Sequence, residues 1–340
     1  MQTVNIKEAE PLLMDIIRAG LVGMLWSSPG MGKSDLARAI AKKYNLFVID
    51  LRLSQMDPTD LNGFPTYDKD TMRSHYAPPM AIPLEGDPIP DGYDGWLVFF
   101  DEINSAAPSM QAASYKVILD KKVGEHNVHK NVAMLAAGNL ATDRAIVHTM
   151  STALQSRMIH VVLEACENIW NSWANVKELD YRVIGFLRFR SELLHKFDPK
   201  HNDLTFACPR TWEFVSRLIK PWKTIPSHKV ALLAGTVGEG AAIEFKGFTD
   251  CFQELPERTE IIDHPATAKI PTEPSTMYAV SALLSSIIDE ANITKVMVYL
   301  ERLPIEFQTI SLQGVFKRFP LLPDHKAVEV WLARNAGELL

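Results

Sequence analysis

The sequence predicts an α/β protein: a three-layer α/β/α domain with a parallel sheet, followed by a helical lid and a helical C-terminal region. Three observations carry this expectation. Short apolar runs alternate with helical patterns through the first half of the chain. A glycine-rich loop, Ser27-Ser28-Pro29-Gly30-Met31-Gly32-Lys33-Ser34, separates one such run from a helical stretch. A second run, Leu97-Val98-Phe99-Phe100, ends in two acids, Asp101 and Glu102. Strands that alternate with helices pair in parallel, with helices covering both faces of the sheet.

In chain order, residues 20–26 form a short apolar run that reads as a strand, and 35–44 have helical composition. Residues 46–53 are β-rich, 95–100 read as a buried strand, and 109–119 as a helix. Residues 132–137 and 158–163 supply two more strands. Between the second and third strands lies a stretch rich in Pro and Gly, 57–94, too long for a plain connection in a compact domain. It is expected to be functional or to carry local structure. From Glu164 the pattern turns helical, with Trp170, Trp173, Val176, Leu179, Val183, Phe186 and Leu187 at helix-like spacing. Residues 255–274 are polar and contain Pro, like a linker, and 275–340 are again mainly helical, with breaks at Pro304, Pro320 and Pro323. The expected organisation is a core at 1–165, a lid at 166–245, a linker at 246–274 and a helical region at 275–340, without internal repeats.

Composition bounds the function. The 340 residues are 47% apolar and 22% charged, which is ordinary globular protein with material for a sizeable core. The net charge of −6 offers no bulk basic field to nucleic acid. The three cysteines, Cys166, Cys208 and Cys251, are widely spaced, as in reduced proteins of the cytosol. No apolar run approaches the roughly 20 residues that span a bilayer. A cytoplasmic protein without membrane contact is expected.

The loop at 27–34 fits the P-loop pattern G-x-x-x-x-G-K-[ST] except that Ser27 replaces the first glycine. Its residue types suit phosphate. Gly30 and Gly32 let the backbone curl so that N–H groups point at phosphate oxygens. A helix beginning near Lys33 adds its positive dipole end. Lys33 is expected to reach the β- and γ-phosphates of ATP and the Ser34 hydroxyl to ligate Mg²⁺, with Ser28, Pro29, Met31 and Asp35 completing the cradle. At the acidic strand end, Asp101 is the second expected Mg²⁺ ligand, acting through water, and Glu102 the group that polarises the attacking water.

Residues 101–113, Asp-Glu-Ile-Asn-Ser-Ala-Ala-Pro-Ser-Met-Gln-Ala-Ala, resemble the Walker B segment of MoxR-type AAA+ ATPases. Residues 53–63, Leu-Ser-Gln-Met-Asp-Pro-Thr-Asp-Leu-Asn-Gly, resemble the segment after that family's second strand. The resemblance covers residues from about Glu8 to Gly240 and leaves the region beyond about Phe245 uncovered. It implies a ring-forming, Mg²⁺-dependent ATPase, hexameric as that family's rings are, that remodels a protein partner or complex. It also implies further roles. Asn139, closing Ala136-Ala137-Gly138-Asn139, matches sensor 1, which hydrogen-bonds the γ-phosphate or the lytic water. Arg157, in Ala153-Leu154-Gln155-Ser156-Arg157-Met158, resembles the arginine finger that acts on a neighbour's nucleotide, with Arg144 as competitor. Arg210, in Cys208-Pro209-Arg210-Thr211-Trp212, resembles the sensor 2 arginine of the lid.

The stretch 57–94 stands where these proteins carry their helix-2 insert, and 121–131 where they carry the insert before sensor 1, with Gly124 at its turn. Phe64, Tyr67 and Tyr76 are candidate substrate contacts or simply pack the loop down. A partner with a von Willebrand factor A-like domain is implied by the resemblance alone. A nucleic-acid motor or loader is the first rival reading, although Lys121, Lys122 and Lys130 make a weak footprint. The second rival is a scaffold that holds ATP without turnover. His126 and His129, three apart in an expected hairpin, are not read as a metal site.

Overall fold

β6 (Gly95–Asp101), the seven-residue strand Gly-Trp-Leu-Val-Phe-Phe-Asp, is buried along its whole length, as a strand covered on both faces must be. It belongs to a computed structural model that describes residues 2–140, 148–198 and 204–335. The main division of the chain falls between Glu164 and Ala165. Before β6 the first unit contains β1 (Thr3–Val4), α1 (Ile6–Arg18), β2 (Gly23–Ser27), α2 (Lys33–Lys43), β3 (Leu46–Arg52), α3 (Thr59–Asn62), β4 (Phe64–Asp68) and β5 (Arg73–Ala77). After it come α4 (Pro108–Asp120), β7 (Lys122–Val123), β8 (His126–Asn127), β9 (Val132–Asn139), α5 (Thr152–Gln155) and β10 (Ile159–Leu163).

Among the described residues six strands make one parallel sheet in the order β1-β10-β2-β9-β6-β3. Successive side chains of a strand point to opposite faces, so each central strand feeds two cores. Leu97 and Phe99 of β6, with Leu135 and Ala137 of β9, pack on Leu13 of α1 and on Leu36 and Ile40 of α2. Val98, Phe100, Met134 and Ala136 pack on the other side with Met110 and Val117 of α4 and Leu154 of α5. The three layers expected from the sequence are therefore present. The register aligns the strand ends: Ser27 lies opposite Asn139, and Arg52 opposite Asp101. The glycine-rich loop, the acid pair and Asn139 thus leave the sheet along one edge.

The expected strands and helices of this unit all form, with ends shifted by up to three residues. α1 was not among them. Its start is written in the chain, since Asn5 and Glu8 form a reciprocal capping box, but Pro11 interrupts the helical pattern. The Pro- and Gly-rich stretch 57–94 contains α3 and an antiparallel hairpin, β4 with β5. On that hairpin Phe64, Tyr67 and Tyr76 stand 70%, 53% and 49% exposed, so they are not packed down. β7 and β8 form a second small hairpin with Gly124 in the left-handed region at its turn. It is joined to the end of the first insert, because Glu85 N–H donates to Asn127 O and His129 N–H to Pro83 O, both at 2.9 Å.

The second unit is helical. It holds α6 (Glu167–Val176), α7 (Tyr181–Phe189), α8 (Pro209–Ile219), α9 (Val230–Val237), α10 (Glu239–Asp250), α11 (Arg258–Asp263), α12 (Pro274–Ile287), α13 (Ile293–Leu300), α14 (Ile305–Arg318) and α15 (Lys326–Asn335). One core gathers Trp170, Val183, Phe186, Leu187, Trp212 and Phe245, and another gathers residues of α12 to α15 such as Tyr299 and Trp331. Val176, one of the residues at helix-like spacing, is 61% exposed. α6 ends at that residue, and Glu178 takes a positive φ of 51°, so the helical period does not continue into α7. Residues 246–274, read as a linker, contain the end of α10, a 3-10 turn at Cys251–Glu254, and α11. Among the described residues no helix is long and apolar enough to cross a membrane.

Candidate functional site

The glycine-rich loop leaves β2 at Ser27, which is fully buried, and enters α2 at Lys33. Gly30 and Gly32 have φ of 79° and 83°, a left-handed conformation that side chains disfavour. Gly32 is the N-cap of α2 and supplies no side-chain cap, so the first-turn N–H groups keep their hydrogen-bonding capacity. That geometry, with the helix dipole behind it, makes an anion cradle. Ser28 and Pro29 are half-buried on the loop, and Met31 is buried. Asp35 is exposed and pairs with Arg38 at 3.3 Å. Lys33 Nζ donates to Ser27 O, Ser27 Oγ and Asn139 Oδ1, each at 3.0 Å.

The next side chain, Ser34, donates its hydroxyl to Asp101 Oδ2 at 3.0 Å. Asp101 ends β6 and is only 7% exposed. Burial pushes its carboxyl above the ordinary Asp range, opposed by the hydrogen bonds from Ser34 and from Glu102 N–H. The latter bond is 2.9 Å. Glu102 takes a positive φ of 56°, uncommon for a residue with a side chain. The chain thus leaves the strand sharply, and Glu102 turns beside β3, where Ser54 Oγ donates to its Oε2.

Asn139, the last residue of β9, is held from two sides. Its side chain accepts from Lys33, and its backbone is bracketed by Asn104. Asn104 Nδ2 donates to Asn139 O at 2.7 Å, and Asn104 Oδ1 accepts from Asn139 N–H at 3.1 Å. Lys33, Ser34, Asp101, Glu102 and Asn139 therefore converge, and Ser54 and Asn104 join them without having been singled out as candidates. Their signal is the parallel pairing of β3, β6 and β9, which brings residues just past one strand end beside those of the next.

Within the first unit Arg157 does not join this cluster by any contact among the described residues. Arg157 is exposed after α5, hydrogen-bonds Tyr115 OH and Ala153 O, and lies over the Tyr115 ring at 5.4 Å. Arg210 is exposed in the first turn of α8, whose N1 proline and Cys208–Thr211 capping box set its start. Arg144 lies outside the described residues.

The donors fit Mg²⁺, a hard cation that takes one or two protein oxygens and keeps several waters. Ser34 Oγ and the Asp101 carboxylate are such oxygens, and the desolvation acting on Asp101 is what a bound cation relieves.

One family model covers this part of the chain. Residues 24–158 match the AAA domain (dynein-related subfamily). A search of curated proteins returns no match. Among solved structures, one described as a "putative ATPase" from Cytophaga hutchinsonii is 12% identical, with a TM-score of 0.37, over 99% of this chain and 91% of that one. The glycine-rich loop, the acid pair and Asn139 lie within the residues that the AAA family model matches, and the first unit has the three-layer α/β/α fold with a parallel sheet.

Proposed function

We propose that the first unit hydrolyses ATP with Mg²⁺, and that the chain works as a hexameric ring that remodels a protein partner. One observation carries the reading: the first two residues of α2 meet two strand ends, Lys33 at Asn139 and Ser34 at Asp101. Lys33 binds the β- and γ-phosphates, and the loop N–H groups bind their oxygens. Ser34 and Asp101 hold Mg²⁺, which when bound neutralises charge on the phosphate oxygens. Glu102 orients and deprotonates the attacking water, and Asn139 holds that water or the γ-phosphate. The contact with Ser54 keeps the Glu102 carboxylate turned toward β3, so that it must exchange this partner for water to act.

The exposure of Arg157 suits a group that serves a neighbouring subunit's nucleotide, while Arg144 stays as the alternative finger. Arg210 is kept as sensor 2 on the resemblance of Pro209-Arg210. The resemblance of residues 53–63 and 101–113 to MoxR-type proteins supports a protein partner, including one with a von Willebrand factor A-like domain. The exposed aromatics of the β4–β5 hairpin suit contact with such a partner.

The test is ATP turnover against protein concentration, with mass followed by light scattering, in the presence and absence of DNA or RNA. Turnover rising with assembly and indifferent to nucleic acid is expected. The Glu102→Gln variant is expected to bind ATP and to turn over about 10²- to 10⁴-fold more slowly. Parental turnover by Glu102→Gln removes Glu102 from the base role, and strong stimulation by nucleic acid replaces the remodelling reading with a motor.

A further inference from the structure

We propose that Asn104 is a positioning residue for hydrolysis: its side-chain amide stands in for the missing β6 strand beside Asn139 and fixes Asn139 against Lys33. This inference rests on the ATPase reading above. β6 and β9 pair as far as Phe100 opposite Ala136, and β6 ends at Asp101. β9 runs on to Asn139. The chain after β6 turns away at Glu102 through its positive φ, so no β6 residue remains to pair with the end of β9.

The following two residues fill that place. Ile103 N–H donates to Ala137 O at 3.0 Å. The Asn104 amide then does what a peptide group of a neighbouring strand does, donating to the C=O and accepting from the N–H of Asn139. An amide is the side chain that offers one donor and one acceptor side by side, and the two bonds fix which way round it sits. Asn104 is 2% exposed, and its own C=O accepts from His148 N–H at 2.7 Å, so both its backbone and its side chain are anchored. The approach depends on Gly138, where an added Cβ would stand 2.5 Å from Asn104 Oδ1 and 2.7 Å from Met24 Cε. On its other side Asn139 is paired with Ser27 of β2.

Asn139 is thereby clamped between Ser27 of β2 and the Asn104 amide while its side chain reaches Lys33 at 3.0 Å. A misplacement of about 1 Å at a reacting centre costs on the order of 10²-fold in rate. Asn104 touches neither nucleotide nor water in this reading. It acts through Asn139, and its removal lowers kcat and leaves nucleotide affinity nearly as it was.

The experiment is a double-mutant cycle on ATP turnover by the full chain at concentrations where the wild type is active. It compares wild type, Asn104→Ala, Asn139→Ala and the double variant, with kcat and KM measured for each. Asn104→Ala is expected to lower kcat about 10- to 100-fold with KM within about threefold. The double variant is expected to be no more than about threefold slower than Asn139→Ala alone, because both changes remove the same placement. Wild-type turnover by Asn104→Ala overturns the proposal, as do losses that multiply in the double variant, the pattern of a merely structural residue. If Asn104→Ala does not fold, Gly138→Ala displaces the same amide from the other side, and its cycle with Asn139→Ala decides by the same criteria. Failure of the underlying reading is separately visible: an inactive wild type, or an Asn139→Ala variant with unchanged kcat, removes the ATPase or sensor assignment before Asn104 is altered, and the proposal falls with it.

Discussion

Replacing Asp101 by Asn is expected to stabilise the nucleotide-free protein while abolishing its Mg²⁺-dependent turnover. The carboxylate is 7% exposed, and burial is the leading cause of its raised pKa. Both hydrogen bonds can survive the change. Glu102 N–H, now 2.9 Å from Oδ1, keeps an acceptor in the Asn carbonyl. The new NH₂ faces Ser34 Oγ, whose hydroxyl rotates to accept in place of donating. What is removed is the desolvated charge. Relief of a functional-site conflict of this kind is worth about 0.5–2 kcal/mol. For a unit of this size that is roughly 2–4 °C in Tm per kcal/mol. The sign with pH follows from linkage. A raised pKa means that the folded state binds the proton more tightly, so this group's contribution to stability falls as pH rises from the ordinary Asp range, about 4, through the folded-state value. The variant's advantage therefore grows as pH rises above the ordinary Asp range and shrinks toward zero below it, where both side chains are neutral. Thermal unfolding of parent and variant without nucleotide, from pH 8 downward, measures this. Addition of MgATP should raise the Tm of the parent and not of the variant, and turnover should fall about 10²-fold or more, as several kcal/mol of charge stabilisation are lost. A variant less stable than the parent at neutral pH, or an advantage that grows as pH falls, refutes the reasoning.

Other expectations rest on different residues. Lys33→Ala should weaken ATP binding about 30-fold or more, the equivalent of one charge-assisted hydrogen bond near 2 kcal/mol, and tight binding in a titration of that variant would sink the phosphate-loop assignment. Arg157→Ala should lack turnover when assembled alone but regain part of it when mixed with Lys33→Ala subunits, since each variant then supplies what its neighbour lacks. Mixtures that stay inactive at every ratio argue against a role in trans. Trp212→Ala, which removes a fully buried ring whose Nε1–H donates to Leu193 O at 2.7 Å, should destabilise the second unit by about 3–5 kcal/mol in denaturant unfolding. A loss under 1 kcal/mol would show that the helical core does not depend on that side chain.

The residues that meet at the site lie in short local patterns and were therefore legible in the chain. Gly30, Gly32, Lys33 and Ser34 sit within five positions, and a run as apolar as Leu97-Val98-Phe99-Phe100 before Asp101 and Glu102 has few readings other than a central strand with acids at its end. Asn139, at the end of its strand, was singled out only through the family resemblance. Strand and helix periods also specified the sheet-forming half, because burial on two faces demands continuous apolar runs. Tertiary structure alone decided who meets whom. Ser54 and Glu102 are 48 positions apart, and Asn104 and Asn139 are 35 apart. Such partners follow from the order β9-β6-β3 and its register, which many non-adjacent pairings compete to set and no short pattern encodes. The hairpin that exposes Phe64, Tyr67 and Tyr76 and the helix break that turns Val176 to solvent have the same origin: there the backbone's neighbours, and not the spacing of apolar residues, determine which side chains are covered.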